Sequence, residues 1–218
     1  MRKIRVAQIL EATTGGTRKH LRDLATRLDK GRFDVDAICA PLRDPNFAAD
    51  VEIMRAAGAQ VHLVPMVRQV SPIHDWRAYR HIGGLLRDGS YDIAHAHSAK
   101  AGILGRHAAR AAGVPRIVYT PHGFPFAMHI GAPKRALYRA LERRAAAFTD
   151  RIVAVSEGDR QAALDAELCD PAKIVVIDNG LDLAELDAAL AEPVSRDSLG
   201  LGEDDVVIGS FGRLSSQK

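Results

Sequence analysis

Cysteine is scarce in this chain, with two among 218 residues, Cys39 and Cys169. They stand far apart in apolar surroundings, a pattern of free buried thiols rather than of a disulfide frame or a metal knuckle. Aromatic residues make up only 5%, so helices are expected to pack through small side chains. No stretch approaches the ~20 apolar residues that span a bilayer. The longest uncharged run, Ile117 to Pro133, is broken by Pro121, Pro125 and two histidines. Met1-Arg2-Lys3 leads straight into a strand-like run, which is not the layout of a signal peptide. Two buried thiols and no leader are the expectation for a cytoplasmic chain. The composition, 47% hydrophobic and 26% charged, excludes disorder, collagen and coiled coil. The length allows one large domain or a domain and a half.

Net charge is a mild +3, but its distribution is uneven. Between Lys100 and Arg151 there are ten Lys/Arg and two acids, Glu142 and Asp150, whereas the rest of the chain is net acidic. A basic middle on an acidic chain suggests a face for phosphate or anionic lipid. Basic residues without aromatic interleaving or a recognisable motif argue against nucleic acid.

Short β-rich runs alternate with helical patterns. Strands are expected at Ile4–Leu10, Val35–Ala40, Gln60–Val64, Asp92–Ala96, Arg116–Thr120, Arg151–Val155 and Lys173–Ile177. Between them helices are expected at Thr17–Leu28, Phe47–Ala57, Asp75–Arg87, Ala99–Ala112, Lys134–Phe148 and Glu157–Glu167. Runs such as Ile152-Val153-Ala154-Val155 are apolar throughout, as in strands covered on both faces. The repetition predicts an α/β fold, a doubly wound, Rossmann-like parallel sheet flanked by helices. Gly58 and Gly113 stand at helix stops, and Thr17 and Ser156 at N-caps. From Asp178 to Asp205 nine acids meet one basic residue, Arg196. This reads as an acidic linker over 181–205 after a first domain over 1–180. A buried-strand pattern, Val206 to Gly212, then opens a second domain over 206–218.

Ligands of parallel sheets bind beyond the carboxyl ends of strands. The first strand ends in Glu11-Ala-Thr-Thr-Gly15-Gly16, with His20 one turn into the next helix. Paired glycines let backbone N–H groups approach a phosphate, although tight turns use glycine anyway. The fourth strand ends in His95-Ala-His97-Ser98-Ala99-Lys100. Its histidines share a face, and no third or fourth ligand at suitable spacing supports a metal. Either one packs and the other hydrogen-bonds, or His97 faces a ligand. After the fifth strand, Pro121 and Gly123 fix the backbone around His122. That imidazole can bond a sugar hydroxyl, accept a proton, orient a phosphate or cap the strand end. On the helix from Lys134, Leu137, Leu141 and Phe148 are expected as a buried stripe. Lys134, Arg135, Arg139, Arg143 and Arg144 then form either a solvated face or a dock for an anionic membrane or lipid diphosphate.

In order and spacing, Gly15-Gly16 with His20, Asp92-x-x-His95-x-His97-Ser98, Thr120-Pro-His122-Gly123, Val155-Ser-Glu157, Asn179-Gly180 and Gly212-Arg213-Leu-x-x-x-Lys218 resemble the retaining family 4 glycosyltransferases of GT-B fold. The resemblance is greatest to bacterial members that extend lipid-linked saccharides for capsule, exopolysaccharide or O-antigen. It implies that this chain is the N-terminal, acceptor-binding half. It also implies that Gly15, Gly16, Arg213 and Lys218 serve the diphosphate of a nucleotide-sugar donor and that His122 serves the reaction centre. His20, His97, Lys100 and Gly123 become acceptor or sugar contacts. No cofactor and no metal are expected, and the protein would sit peripherally on the inner face of the plasma membrane. Gln217 replaces the family's usual glutamate before the lysine, and its Glu-x7-Glu donor motif has no counterpart here. The isolated chain is therefore expected to be inactive. An acceptor-presenting subunit and a nucleotide-sugar 2-epimerase of the same fold remain alternatives.

Overall fold

The computed structural model describes residues 2–41, 43–191 and 194–209, with the side chain of Ala189 left out. The chain divides into two units, residues 1–179 and 180–218. In the first, seven strands run parallel in the order β3-β2-β1-β4-β5-β6-β7. They are β1 (Ile4–Leu10), β2 (Phe33–Cys39), β3 (Val61–Leu63), β4 (Ile93–His97), β5 (Arg116–Thr120), β6 (Arg151–Ala154) and β7 (Ile174–Val176). The helices between them are α1 (Gly15–Arg27), α2 (Phe47–Ala56), α3 (Pro72–Gly89), α4 (Ala99–Ala112), α5 (Ala132–Ala146) and α6 (Glu157–Asp165). This is the doubly wound Rossmann-like sheet that the sequence pattern predicts.

The period-two geometry of a strand separates two cores. Val6 and Leu10 pack with Leu21 and Ala25 of α1 and Val51 and Met54 of α2. Ala7 and Ile9 face the other way, toward Ala78 and Ile82 of α3 and Ala101 and Ala108 of α4. A third cluster joins Tyr119, Ile152 and Ile174 to Ala146, Ala163, Phe124 and Phe126.

Several boundaries move. The edge strands β3 and β7 are shorter than expected, because an edge is paired on one side only. Helix α1 opens at Gly15, so Thr17 is not its cap; the Thr17 hydroxyl instead donates to Ala12 O at 2.5 Å and Thr14 O at 2.8 Å. Ser156 does cap α6, its Oγ accepting from Asp159 N at 3.1 Å. Cys39 is buried and free, and burial pushes its thiol up to about 12; Cys169 is free but only half-buried.

The apolar stripe expected on α5 is corrected. Leu137 and Leu141 are 56% and 38% exposed, whereas Glu142, Ala145 and Ala146 are buried. The cause is Arg106 of α4, fully buried, whose Nη2 meets Glu142 Oε2 at 2.6 Å. Tyr119 OH donates to Glu142 Oε1 at 3.1 Å, and the Arg106 guanidinium lies 3.8 Å from the Tyr119 ring centroid. This network turns Glu142 inward and leaves the leucines outside. Phe148 lies beyond the helix end.

In the second unit, helix α7 (Leu183–Leu190) is capped by Asp182, whose carboxylate accepts from Ala184 N and Glu185 N at 2.9 and 3.2 Å. Arg196 holds the following loop through Gly202 O and Asp205 O. The strand expected from Val206 is not formed over 206–209, where Val206 and Ile208 are 91% and 94% exposed. A strand without a neighbour has no ladder to stabilise it. Gly212, Arg213 and Lys218 lie outside the described residues.

Candidate active site

The crossovers diverge between β1 and β4, since β1 leads to β2 on one side and β4 to β5 on the other. This is the switch point where open α/β sheets hold ligands. In register, Gln8 pairs with His95, Leu10 with His97, and His97 with Thr120. Side chains paired across parallel neighbours point the same way, so Gln8, His95 and His97 face the α1 side with Leu10. His20 enters from α1, and His122 follows β5.

The fold thus gathers four histidines. His97 Nε2 lies 2.7 Å from Gln8 Oε1, and His97 Nδ1 lies 3.2 Å from His122 Nε2. The His95 ring packs on His97 with centroids 4.0 Å apart, and its Nε2 bonds Thr120 Oγ1 at 2.7 Å. His20 meets His97 and His122 edge-on, at 5.4 and 4.9 Å between centroids. Burial is the main cause that lowers every one of their pKa values, to about 3 for His95 and about 4 for His122. The imidazoles also depress one another, while Asp23 and Asn179 partly oppose the shift at His20. At neutral pH the cluster is uncharged. Each ring then offers one donor and one acceptor, and Gln8 Oε1 takes the proton on His97 Nε2.

The backbone is bent to aim these groups. His122 sits at φ 52° and Gly123 at φ 92°, left-handed conformations that for a histidine cost about 1–3 kcal/mol and recur where a side chain must be aimed. Gly15 is likewise left-handed, at φ 57°, and opens α1 with no acidic residue in the first turn. A side chain added at Gly15 or Gly16 would meet no heavy atom within 4 Å. Both glycines are exposed, so the turn borders open space at the start of the helix, where an anion is favoured.

Of the residues singled out in the sequence, His20, His97 and His122 come together. Lys100 is not drawn into the cluster. Its ammonium is held by Asp75 at 2.6 and 2.7 Å and by Gln69 O at 2.9 Å, because α4 turns it toward α3. The α5 cations also separate. Arg143 bonds Ala166 O and Glu167, Arg135 bonds Ile130 O, and Arg144 borders a concavity with Arg110 and His107. Sequence reasoning missed Gln8, the buried uncharged polar residue inside β1, which was the available signal. It also found no third ligand for a metal. The fold supplies one: nitrogens of His20, His97 and His122 all lie within 4.8 Å of one another. Three neutral imidazoles are a donor set that a zinc-type ion accepts.

Comparisons with known proteins show the family and the fold. The glycosyl transferase 4-like domain family matches residues 15–180. A UDP-Gal:α-D-GlcNAc-diphosphoundecaprenol α-1,3-galactosyltransferase of Escherichia coli is 34% identical over 99% of this chain and 55% of its own length. The chain thus spans about half of that relative. Among solved structures, a glycosyltransferase from Rickettsia africae matches 94% of this chain and 51% of its own, with a TM-score of 0.66 at 18% identity. A UDP-GlcNAc 2-epimerase from Neisseria meningitidis matches 79% of this chain and 46% of its own, with a TM-score of 0.57 at 10% identity. At such identities both show the fold alone. From the domain match over residues 15–180, the chain belongs to the glycosyl transferase 4-like family.

Proposed function

We propose that this chain is the acceptor-binding half of a retaining glycosyltransferase that moves a sugar from a nucleotide-sugar onto a lipid-linked saccharide at an anionic membrane surface, in cell-surface polysaccharide synthesis. The observation that carries the proposal is the neutral histidine cluster at the β1/β4 switch point, inside the segment shared with the galactosyltransferase relative. His122, aimed by a left-handed backbone, contacts the transferred sugar at the reaction centre. His20 and His97 line the acceptor side and exchange hydrogen bonds with hydroxyls. Gly15 and Gly16 border the donor phosphates, and Arg213 and Lys218 neutralise the departing diphosphate. Such charge stabilisation at a leaving group supplies much of a transfer rate. The leaving phosphate takes the acceptor proton, so no side-chain nucleophile is needed. No metal or other cofactor takes part.

A membrane face is supported by α5. Lys134, Leu137, Leu141 and Arg144, spaced i, i+3, i+7 and i+10, share one exposed side of the helix. Apolar and basic residues mixed on one face suit an anionic interface better than water alone. Among the described residues no helix is long and apolar enough to cross a membrane.

The test is a transfer assay with radiolabelled UDP-galactose and a GlcNAc-diphospholipid. A two-domain enzyme containing this chain is expected to yield an α-linked product, and residues 1–218 alone none. Donor hydrolysis or epimerisation without transfer would overturn the proposal.

A further inference from the structure

A second concavity, of about 220 Å³, opens between α3, α4 and α5. Its walls are Val70, Ile103, Leu104, Pro125, Tyr138 and Leu141. Two carboxylates reach it, and both are already neutralised: Asp75 by Lys100 and Glu142 by Arg106. Arg68 and Lys100 balance the two carboxylates among the lining residues, and because Arg106 behind the wall neutralises Glu142, the exposed Arg68 is left as the surplus positive charge at the rim. An apolar slot with a cationic rim suits a hydrocarbon attached to an anionic group. It suits neither a sugar, which needs polar partners, nor a cation.

Its position favours one such ligand. Lys100 lies three residues after His97, and Pro125 three after His122, so at most about 11 Å of chain separates the slot from the histidines. On the outer side Val70, Ile73 and Trp76, at the start of α3, are 75%, 64% and 60% exposed. An exposed tryptophan beside aliphatic residues is a common feature at a lipid–water boundary. The slot and the histidines thus adjoin the same carboxyl end of the sheet from opposite faces, with the apolar rim on the slot's side.

We infer that this concavity receives the first hydrocarbon segment of a polyprenyl diphosphate acceptor, next to its diphosphate. The inference rests on the lipid-linked acceptor proposed above and assigns its tail to α3, α4 and α5.

Trp76 is the only tryptophan of the chain and reports on the rim. Residues 1–218 are titrated with farnesyl diphosphate below its micelle concentration and, separately, with inorganic pyrophosphate. Fluorescence and calorimetry are the readouts. Farnesyl diphosphate is expected to bind at least about tenfold more tightly than pyrophosphate. Ile103→Trp, which fills the slot, and Leu141→Asp, which charges its wall, are each expected to erase that preference and to leave pyrophosphate binding within about twofold. If Ile103→Trp fails to fold by circular dichroism, Leu141→Asp decides, since Leu141 is partly exposed. Equal binding of the two probes, or a preference that survives Leu141→Asp, would overturn the inference. So would anionic vesicles without prenyl lipid abolishing the farnesyl signal, which would mark surface adsorption only. Farnesyl selectivity without sugar transfer by the two-domain enzyme would sink the proposed function and leave the slot standing. Transfer that is indifferent to prenyl length would do the reverse.

Discussion

His97 Nε2 stands 2.7 Å from Gln8 Oε1, an amide on β1 that fixes which nitrogen of the ring carries the proton. The lone pair on Nδ1 is thereby directed toward His122 Nε2 at 3.2 Å. On the proposed function, Gln8 would be a positioning residue that acts through His97. Gln8→Leu is expected to lower kcat by about 10–100-fold, the usual cost of losing an orienting partner, while nucleotide affinity stays unchanged. Gln8→Glu is expected to place a carboxylate beside the ring and raise its pKa, moving the acid limb of the pH–rate profile upward. Profiles that superimpose for wild type and Gln8→Glu would remove this role.

Stability should depend on pH through the same rings. Their folded-state pKa values lie below the ordinary 6.5, at about 4 for His122 and about 3 for His95. Between those values and 6.5 the unfolded chain binds more protons than the folded one, so stability falls as pH falls. The contribution is fully present above pH 6.5 and drains away below it. Urea midpoints measured from pH 7.5 to 4.5 are expected to decline across this window. His95→Gln is expected to flatten the slope; an unchanged slope would contradict the assignment.

The buried pair Arg106–Glu142 gives a separate prediction. Removing one partner strands a charge, so Arg106→Met or Glu142→Leu alone is expected to cost about 3–5 kcal/mol. The double variant is expected to recover part of that loss, because no buried charge is left unpaired, while the buried Tyr119 hydroxyl still loses its acceptor. Chemical denaturation of the four proteins closes the cycle. Additive losses would mean that the two residues do not act together.

The proposal of metal-free transfer at a metal-competent histidine set is testable by removal and addition. EDTA is expected to leave turnover of the two-domain enzyme unchanged. Zn²⁺ is expected to inhibit by occupying His20, His97 and His122, and His20→Ala to relieve that inhibition. Loss of activity with EDTA, restored by a divalent ion, would make the ion a participant instead.

The architecture was legible because parallel strands buried on both faces leave a pattern that few other folds share. Val6 and Leu10 against Ala7 and Ile9 already divide the two cores by parity alone. The site was half legible. His97 and His122 stand at strand ends, where parallel sheets bind, but the approach of His20 depends on how α1 lies across β1 and β4. That packing has no local signature. Gln8 was visible as a polar residue in a buried strand, yet only the register with His95 reveals its partner. On α5, hydrophobic spacing pointed to Leu137 and Leu141 as core. The buried Arg106, lying thirty-six residues before Glu142, overrode that pattern, and no periodicity count within α5 includes it.

The most direct test is the transfer rate of the two-domain enzyme with His122 replaced by alanine. A group at the reaction centre that bonds or relays protons is worth about 10²–10⁴-fold. His122→Ala is expected to lower kcat by at least about 100-fold, with the fold intact by circular dichroism and donor binding retained. A turnover within about twofold of wild type would contradict the placement of the reaction centre at this histidine cluster.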